Sequence, residues 1–101
     1  MKLWIDDVRP APEGYVWVKT VEDAIIKILT ANTLRMVDDS QEIELIDIDH
    51  DAGDYGPPDY IRVLDWLEKT GRDYPIHIHS MNTVGVANMR AIIKRNGWKE
   101  V

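Results

Sequence analysis

Three short segments run from apolar residues straight into titratable ones: Leu3-Trp4-Ile5-Asp6-Asp7, Ile46-Asp47-Ile48-Asp49-His50-Asp51 and Ile76-His77-Ile78-His79-Ser80. Carboxylates and imidazoles in such a set can hold a cation, move protons, or do both. If Asp6, Asp7, Asp49 and Asp51 converge, they create a charge problem, because two like charges about 4 Å apart repel by about 4 kcal/mol at an effective dielectric of ~20. They must bind a cation, share protons or stay apart, and a divalent metal ion is the simplest resolution. Oxygen donors favour Mg²⁺, Mn²⁺ or Ca²⁺, whereas His50 or His79 joining the set would admit Zn²⁺. A metal ion or an imidazolium would then let an anionic phosphate approach the acidic cluster.

Bringing these residues together is a task for a parallel sheet, whose ligands bind in the crevice beyond the carboxyl ends of the strands. Lys2 to Asp6 reads as a first strand, apolar enough at its middle to be buried on both faces. Two prolines and a glycine between Pro10 and Gly14 make the next segment a loop, and Tyr15 to Lys19 a second strand. Thr20 is a natural N-cap for a helix whose apolar stripe, Ala24, Ile25, Ile28 and Leu29, ends near Ala31. Asn32 to Glu42 is polar and reads as irregular, Ile43 to Asp49 as a third strand, and the Gly- and Pro-rich run through Pro58 as a loop.

A second helix carries Tyr60, Ile61, Val63, Leu64 and Leu67 at helical spacing, with Gly71 as its C-terminal cap. Pro75 to His79 is a fourth strand, Thr83 to about Arg95 a third helix stopped by Gly97, and Trp98 to Val101 a candidate fifth strand. Alternating strands and helices imply right-handed parallel crossovers and an α/β sandwich of three layers around a four- or five-stranded, mostly parallel sheet. The connection after the first strand is shorter than the dozen or so residues of a usual crossover, so an antiparallel start stays open.

With 101 residues the chain is one domain, residues 1–101, and its 45% hydrophobic and 30% charged content is that of an ordinary globular protein. No apolar run approaches the ~20 residues of a membrane span, and no apolar leader segment is evident, so a cytoplasmic location is expected. Without cysteine there is no thiolate ligand or Cys nucleophile. Eighteen acidic against twelve basic residues, a formal charge of −6, disfavour an extended grip on a nucleic-acid backbone. That charge leaves room for a small phosphate ligand or a single RNA end as partner, but does not by itself name the substrate. Nothing in the sequence specifies an oligomeric state.

At Ile5-Asp6-Asp7-Val8-Arg9-Pro10, Asp49-His50-Asp51, His79-Ser80, Val84-Gly85 and Asn88-Met89, the chain resembles the cyclic-phosphate processing receiver-like domains, derivatives of the response-regulator receiver fold. The resemblance spans nearly the whole chain. It implies a flavodoxin-like topology in degenerate form, a context of RNA repair and phosphate handling, and a phosphoesterase acting on cyclic phosphates. Asp6, Asp7, Asp49 and Ser80 fall at receiver positions for an acidic pair, a phosphoacceptor and a hydroxyl. The segment after the first strand, by contrast, is too short for the receiver's first helix, and Lys99 is the only lysine near the fifth-strand segment.

Opening a 2′,3′-cyclic phosphate requires activating a water and protonating a leaving oxygen, work that His50 and His79 can divide in either order. Asp49 would orient an imidazole or bind metal, while Arg9, Ser80 and Asn82 would hold phosphate oxygens. The free N–H groups at the start of the third helix, with Gly85 permitting close approach, could cradle the same phosphate. A phosphoaccepting receiver using Asp49, or a noncatalytic phosphate-binding or protein-binding module, are the alternatives.

The plainer readings are these. Asp6-Asp7 before Arg9-Pro10 also fits a strand-ending turn with a local ion pair. His77 lies one full strand period inward of His79 and is expected to be a satisfied core histidine; Asp47 is expected to pair with a neighbour or with solvent. Trp4, Trp17 and Trp66 are expected in the core, with Trp98 closing an edge and a base-stacking platform as the lesser alternative.

Overall fold

The computed structural model describes residues 1–51 and 59–101. The expected loop through Pro58 therefore lies, over residues 52–58, outside the described residues. Four strands, β1 (Lys2–Ile5), β2 (Tyr15–Val18), β3 (Leu45–Ile48) and β4 (Ile76–Ile78), form one sheet in the order β2-β1-β3-β4. Every pairing is parallel, with Trp4 opposite both Trp17 and Asp47, and Asp47 opposite His77. An antiparallel start is thus ruled out. The strands are short enough to allow this: a four-residue strand rises about 13 Å, and the link over residues 6–14 could reach about 30 Å when extended.

Three helices, α1 (Val21–Leu34), α2 (Ile61–Lys69) and α3 (Thr83–Asn96), follow β2, β3 and β4. Thr20 caps α1 by accepting the Asp23 N–H at 3.0 Å. The helix runs three residues beyond Ala31, and a short 3₁₀ turn at Asp39–Gln41 occupies part of the stretch expected to be irregular. Gly97, at φ 68°, closes α3, with the Trp98 N–H donating back to Ile93 O. The fifth strand is reduced to one parallel bridge between Ile76 and Glu100.

The three helix-bearing connections, from β2 to β3, from β3 to β4 and from β4 to the final bridge, step along the sheet in the same direction, so right-handedness puts all three helices on one face. They pack there side by side, α2 between α1 and α3. Leu3, Ile5, Val18, Ile46, Ile48 and Ile76 point into this layer and build the core with Ala24, Ile28, Leu64, Leu67, Met89 and Ile93. The third layer expected of the sandwich is missing among the described residues, because residues 6–14 form a loop where a covering helix would have started. The opposite face therefore carries Lys2, Trp4, Tyr15, Trp17, Leu45, Asp47 and His77, which by strand alternation share one side. Of the tryptophans expected inside, Trp17 is 36% exposed, whereas Trp98, expected at an edge, is buried in the core.

Candidate functional site

The link after β1 is folded around Asp6. Its backbone N–H continues the β1–β2 ladder to Val18 O, and its Oδ1 accepts the Val8 and Arg9 N–H groups, each at 2.9 Å. Two indoles brace the same link: Trp4 Nε1 donates to Arg9 O at 2.9 Å and Trp17 Nε1 to Asp6 O at 2.7 Å. This turn aims Arg9 back over the strand ends, where Nε lies 3.2 Å from Asp6 Oδ2 and Nη2 3.4 Å from Asp49 Oδ2. Asp49 leaves β3 with Oδ1 accepting the His50 N–H at 2.7 Å.

The fully buried Asp6 also meets the end of β4. His79 Nε2 lies 2.9 Å from Asp6 Oδ2, and on the other side of the ring Nδ1 lies 2.6 Å from Asp47 Oδ1. The same Asp47 oxygen is 2.9 Å from Nδ1 of the half-buried His77. Trp4 covers this assembly, its ring stacked on His79 with centroids 3.8 Å apart and planes 3° off parallel. Both nitrogens of His79 are therefore engaged by carboxylates, and only a ring protonated at both can donate to each.

Burial pushes the Asp6 carboxyl up, but the N–H groups of Val8 and Arg9 together with His79 outweigh it and hold the group below the ordinary carboxylate range. Asp47 behaves alike: burial raises it, and His79 and His77 more than reverse the effect.

His50 is placed separately. Its Nδ1 lies 2.9 Å from Asp51 Oδ1, and Nε2 is 3.8 Å from Asp59 Oδ2. Asn82 joins them: Nδ2 donates to Asp51 at 3.1 Å while Oδ1 caps α3 by accepting the Gly85 N–H at 2.9 Å. His50 first, then Asn82, draws the Asp51 carboxyl below its usual range. The His50 ring fills the space above Gly85, so the glycine accommodates an imidazole where the sequence suggested room for a phosphate. Ser80 Oγ accepts the Asn82 N–H at 3.1 Å in the turn entering α3.

The strand ends thus gather the sequence-derived candidates into two neighbouring groups. Asp6, Asp7 and Asp49 present ligand atoms within 4.8 Å of one another, and so do His50, Asp51 and Asp59. Asp51 does not join the other three carboxylates, because His50 and Asn82 turn its side chain their way. All-oxygen donors in the first set suit a hard divalent cation. Asp6 already accepts four contacts, which leaves Asp7 and the outer oxygen of Asp49 as the available ligands, with the 46%-exposed Arg9 side chain able to swing aside.

Two residues here escaped the sequence reading. Asp59 follows the Gly- and Pro-rich loop and has no strand to advertise it. Asp47, expected only to pair with a neighbour or with solvent, is the shared partner of two histidines; alternation from Asp47 to Asp49 and from His77 to His79 was the available signal. His77 is half-buried on the open face, so its expected core position is not where it sits.

Two surface concavities, one beside Ala31, Arg35, Ile43 and Tyr74 and one beside Ile25, Arg62 and Trp66, carry none of these candidates. Among the described residues no helix is long and apolar enough to cross a membrane.

The order β2-β1-β3-β4 with a last bridge beyond β4 follows the flavodoxin-like pattern 2-1-3-4-5. Searches of curated proteins and of solved structures give no significant match. A family profile of the cyclic-phosphate processing receiver domain matches residues 1–95, from the first strand through the last turn of α3, and on that match the chain belongs to this family.

Proposed function

We propose that the protein is a phosphoesterase that opens a cyclic phosphate, with His50 as its principal proton carrier. The observation that carries this reading is the Asp51–His50 pair. A carboxylate 2.9 Å from Nδ1 fixes the ring, and Nε2, 3.8 Å from Asp59, makes no hydrogen bond to any described residue. An imidazole oriented through one nitrogen with the other available is the arrangement used for general acid–base work. Water adds to phosphorus, one ester P–O bond breaks, and the leaving ribose oxygen takes a proton, giving a phosphomonoester and a free hydroxyl. His50 moves one of the two protons involved.

His79 would supply the other only by releasing Asp6, so its main part is to lock Asp6 to Asp47 at the strand ends. Arg9 bridges Asp6 and Asp49 with an exposed guanidinium that can transfer to phosphate oxygens. Ser80 and Asn82 shape the turn into α3, Ser80 Oγ accepting the Asn82 N–H and Asn82 Oδ1 the Gly85 N–H, and the Ser80 hydroxyl would donate to a phosphate oxygen. A divalent ion, Mg²⁺ or Mn²⁺, held by Asp7 and Asp49 would neutralise charge on the phosphoryl oxygens. Phosphoacceptor chemistry on Asp49 is less favoured, since Oδ1 is committed to the His50 N–H and Oδ2 faces Arg9.

Incubation with 2′,3′-cyclic nucleotides and Mg²⁺ or Mn²⁺, read by chromatography of the phosphomonoester, tests the proposal. His50→Gln is expected to lose at least about a hundredfold in rate. No product from the native chain with either metal would refute the reading.

A further inference from the structure

The open face of the sheet is an unusual surface for an acidic chain. The charged strand residues there are Lys2, which is exposed, and Asp47, which is buried beneath His77 and His79. Lys19 follows directly at the end of β2. Cations and rings interleave: Lys2 Nζ lies 5.6 Å from the centre of the Tyr15 ring and Lys19 Nζ 4.4 Å from that of Trp17. Tyr15 in turn meets Trp4 edge-on, with centroids 5.8 Å apart. The net charge of −6 thus coexists with a face on which two lysines stand beside aromatic rings. That face is continuous with the candidate site, because Trp4 stacks on His79 and the indoles of Trp4 and Trp17 hold the link that carries Asp6 and Arg9.

We infer that this face binds the last few unpaired nucleotides of a single-stranded RNA, bases against Trp17 and Tyr15 and phosphates against Lys2 and Lys19, so that the terminal phosphate reaches the strand ends. Aromatic rings beside cations on an open sheet are what sequence-tolerant single-strand binding requires, since every base offers a π-face and every linkage a negative charge. A 2′,3′-cyclic phosphate needs a 2′-hydroxyl, which selects RNA over DNA. The contact is short, two or three nucleotides at most on four-residue strands, in keeping with a chain whose overall charge opposes a long duplex. The inference rests on the phosphoesterase reading for the direction in which the strand runs and for the choice of RNA over DNA, while the binding surface itself is independent of it.

The test uses the intact chain and fluorescein-labelled pentauridylate ending in a 3′-hydroxyl, so that binding is read without any cyclic phosphate to turn over. Saturable binding that weakens with added salt is expected. Lys19→Glu should lower affinity several-fold and Trp17→Ala about tenfold. Because Trp17 also braces Asp6, the exposed Lys19 variant decides the matter if Trp17→Ala unfolds. Equal affinity for duplex RNA, or no loss in Lys19→Glu, would overturn the inference. Self-association through this face, abolished by Trp17→Ala and indifferent to pentauridylate, would assign the surface to a second copy of the chain and overturn it as well. Retained pentauridylate binding in a protein that hydrolyses no cyclic phosphate would uphold this inference and remove only the proposed chemistry.

Discussion

Replacing Gly85 by alanine puts a methyl group 2.3 Å from Cγ of His50, 2.5 Å from Cδ2 and 2.6 Å from Nδ1. Carbon atoms rest about 3.5–4.0 Å apart, so the ring must move by about 1 Å or more. It has little room, being 10% exposed and tied to Asp51. Two effects oppose each other. Glycine inside a helix costs about 0.8–1.0 kcal/mol relative to alanine, so elsewhere in α3 the substitution would stabilise. Overpacking a filled site costs about 1–3 kcal/mol, and breaking the Asp51–His50–Asn82 arrangement adds to it. A net loss of about 1–2 kcal/mol is expected, read as a lower urea midpoint with unchanged slope. The same substitution made on His50→Ala has no ring to meet and should instead stabilise, by about 0.5–1 kcal/mol. The change of sign between the two backgrounds is the signature, since only directly coupled residues give it. Stabilisation by Gly85→Ala in the native chain would show that the imidazole does not sit over the helix, and the assignment of His50 as proton carrier would fall with it.

Three further expectations concern the carboxylates. Asp6 and Asp47 are held below their unfolded value of about 3.9, so their contribution to stability is complete above that pH and lost as pH falls through the folded values. Urea midpoints should therefore drop below about pH 4, less so in Asp6→Asn, and an unaltered acid limb in that variant would contradict the argument. Asp47→Ala strips His79 and His77 of their shared acceptor and should cost about 1–3 kcal/mol, with the near-ultraviolet signal of Trp4 altered; a cost under about 0.5 kcal/mol would mean that the contact is incidental. Asp7→Asn should weaken Mn²⁺ binding in titration calorimetry while leaving the melting temperature nearly unchanged, and equal affinity would exclude Asp7 as a ligand.

The strands, the helices and the caps at Thr20 and Gly97 were readable because each leaves a local mark: a short apolar run, a helical stripe, a hydroxyl or a glycine at the right place. The third layer, absent among the described residues, left a mark too, in the short link before Tyr15, but its consequence is global and appears only when the three helical crossovers are laid on one sheet. Trp17 illustrates the difficulty. An indole in a strand reads as core whichever way it points, and only the register shows that it faces away from the helices. In the site, the grouping of Asp6, Asp7 and Asp49 followed from their shared position at strand ends. The parting of Asp51 from them depends on Asn82, 31 positions away, and the role of Asp47 between two histidines on a pairing of two strands as distant, for which alternation within each strand marks the shared face but not the partner.

The parallel pairing of β1 with β2 through so short a link bears on the order in which the chain assembles. Lys2 and Tyr15 are neighbours separated by 13 positions, whereas Lys2 and Leu45, on the other side of the same strand, are separated by 43. Loop-closure entropy grows with the logarithm of that separation, and the difference favours the first pairing by about 1 kcal/mol. The turn bearing Asp6 and Arg9 can therefore be set before β3 and β4 dock against it. Asp49 and the histidines would then arrive late in folding, at a loop that is already shaped to receive them.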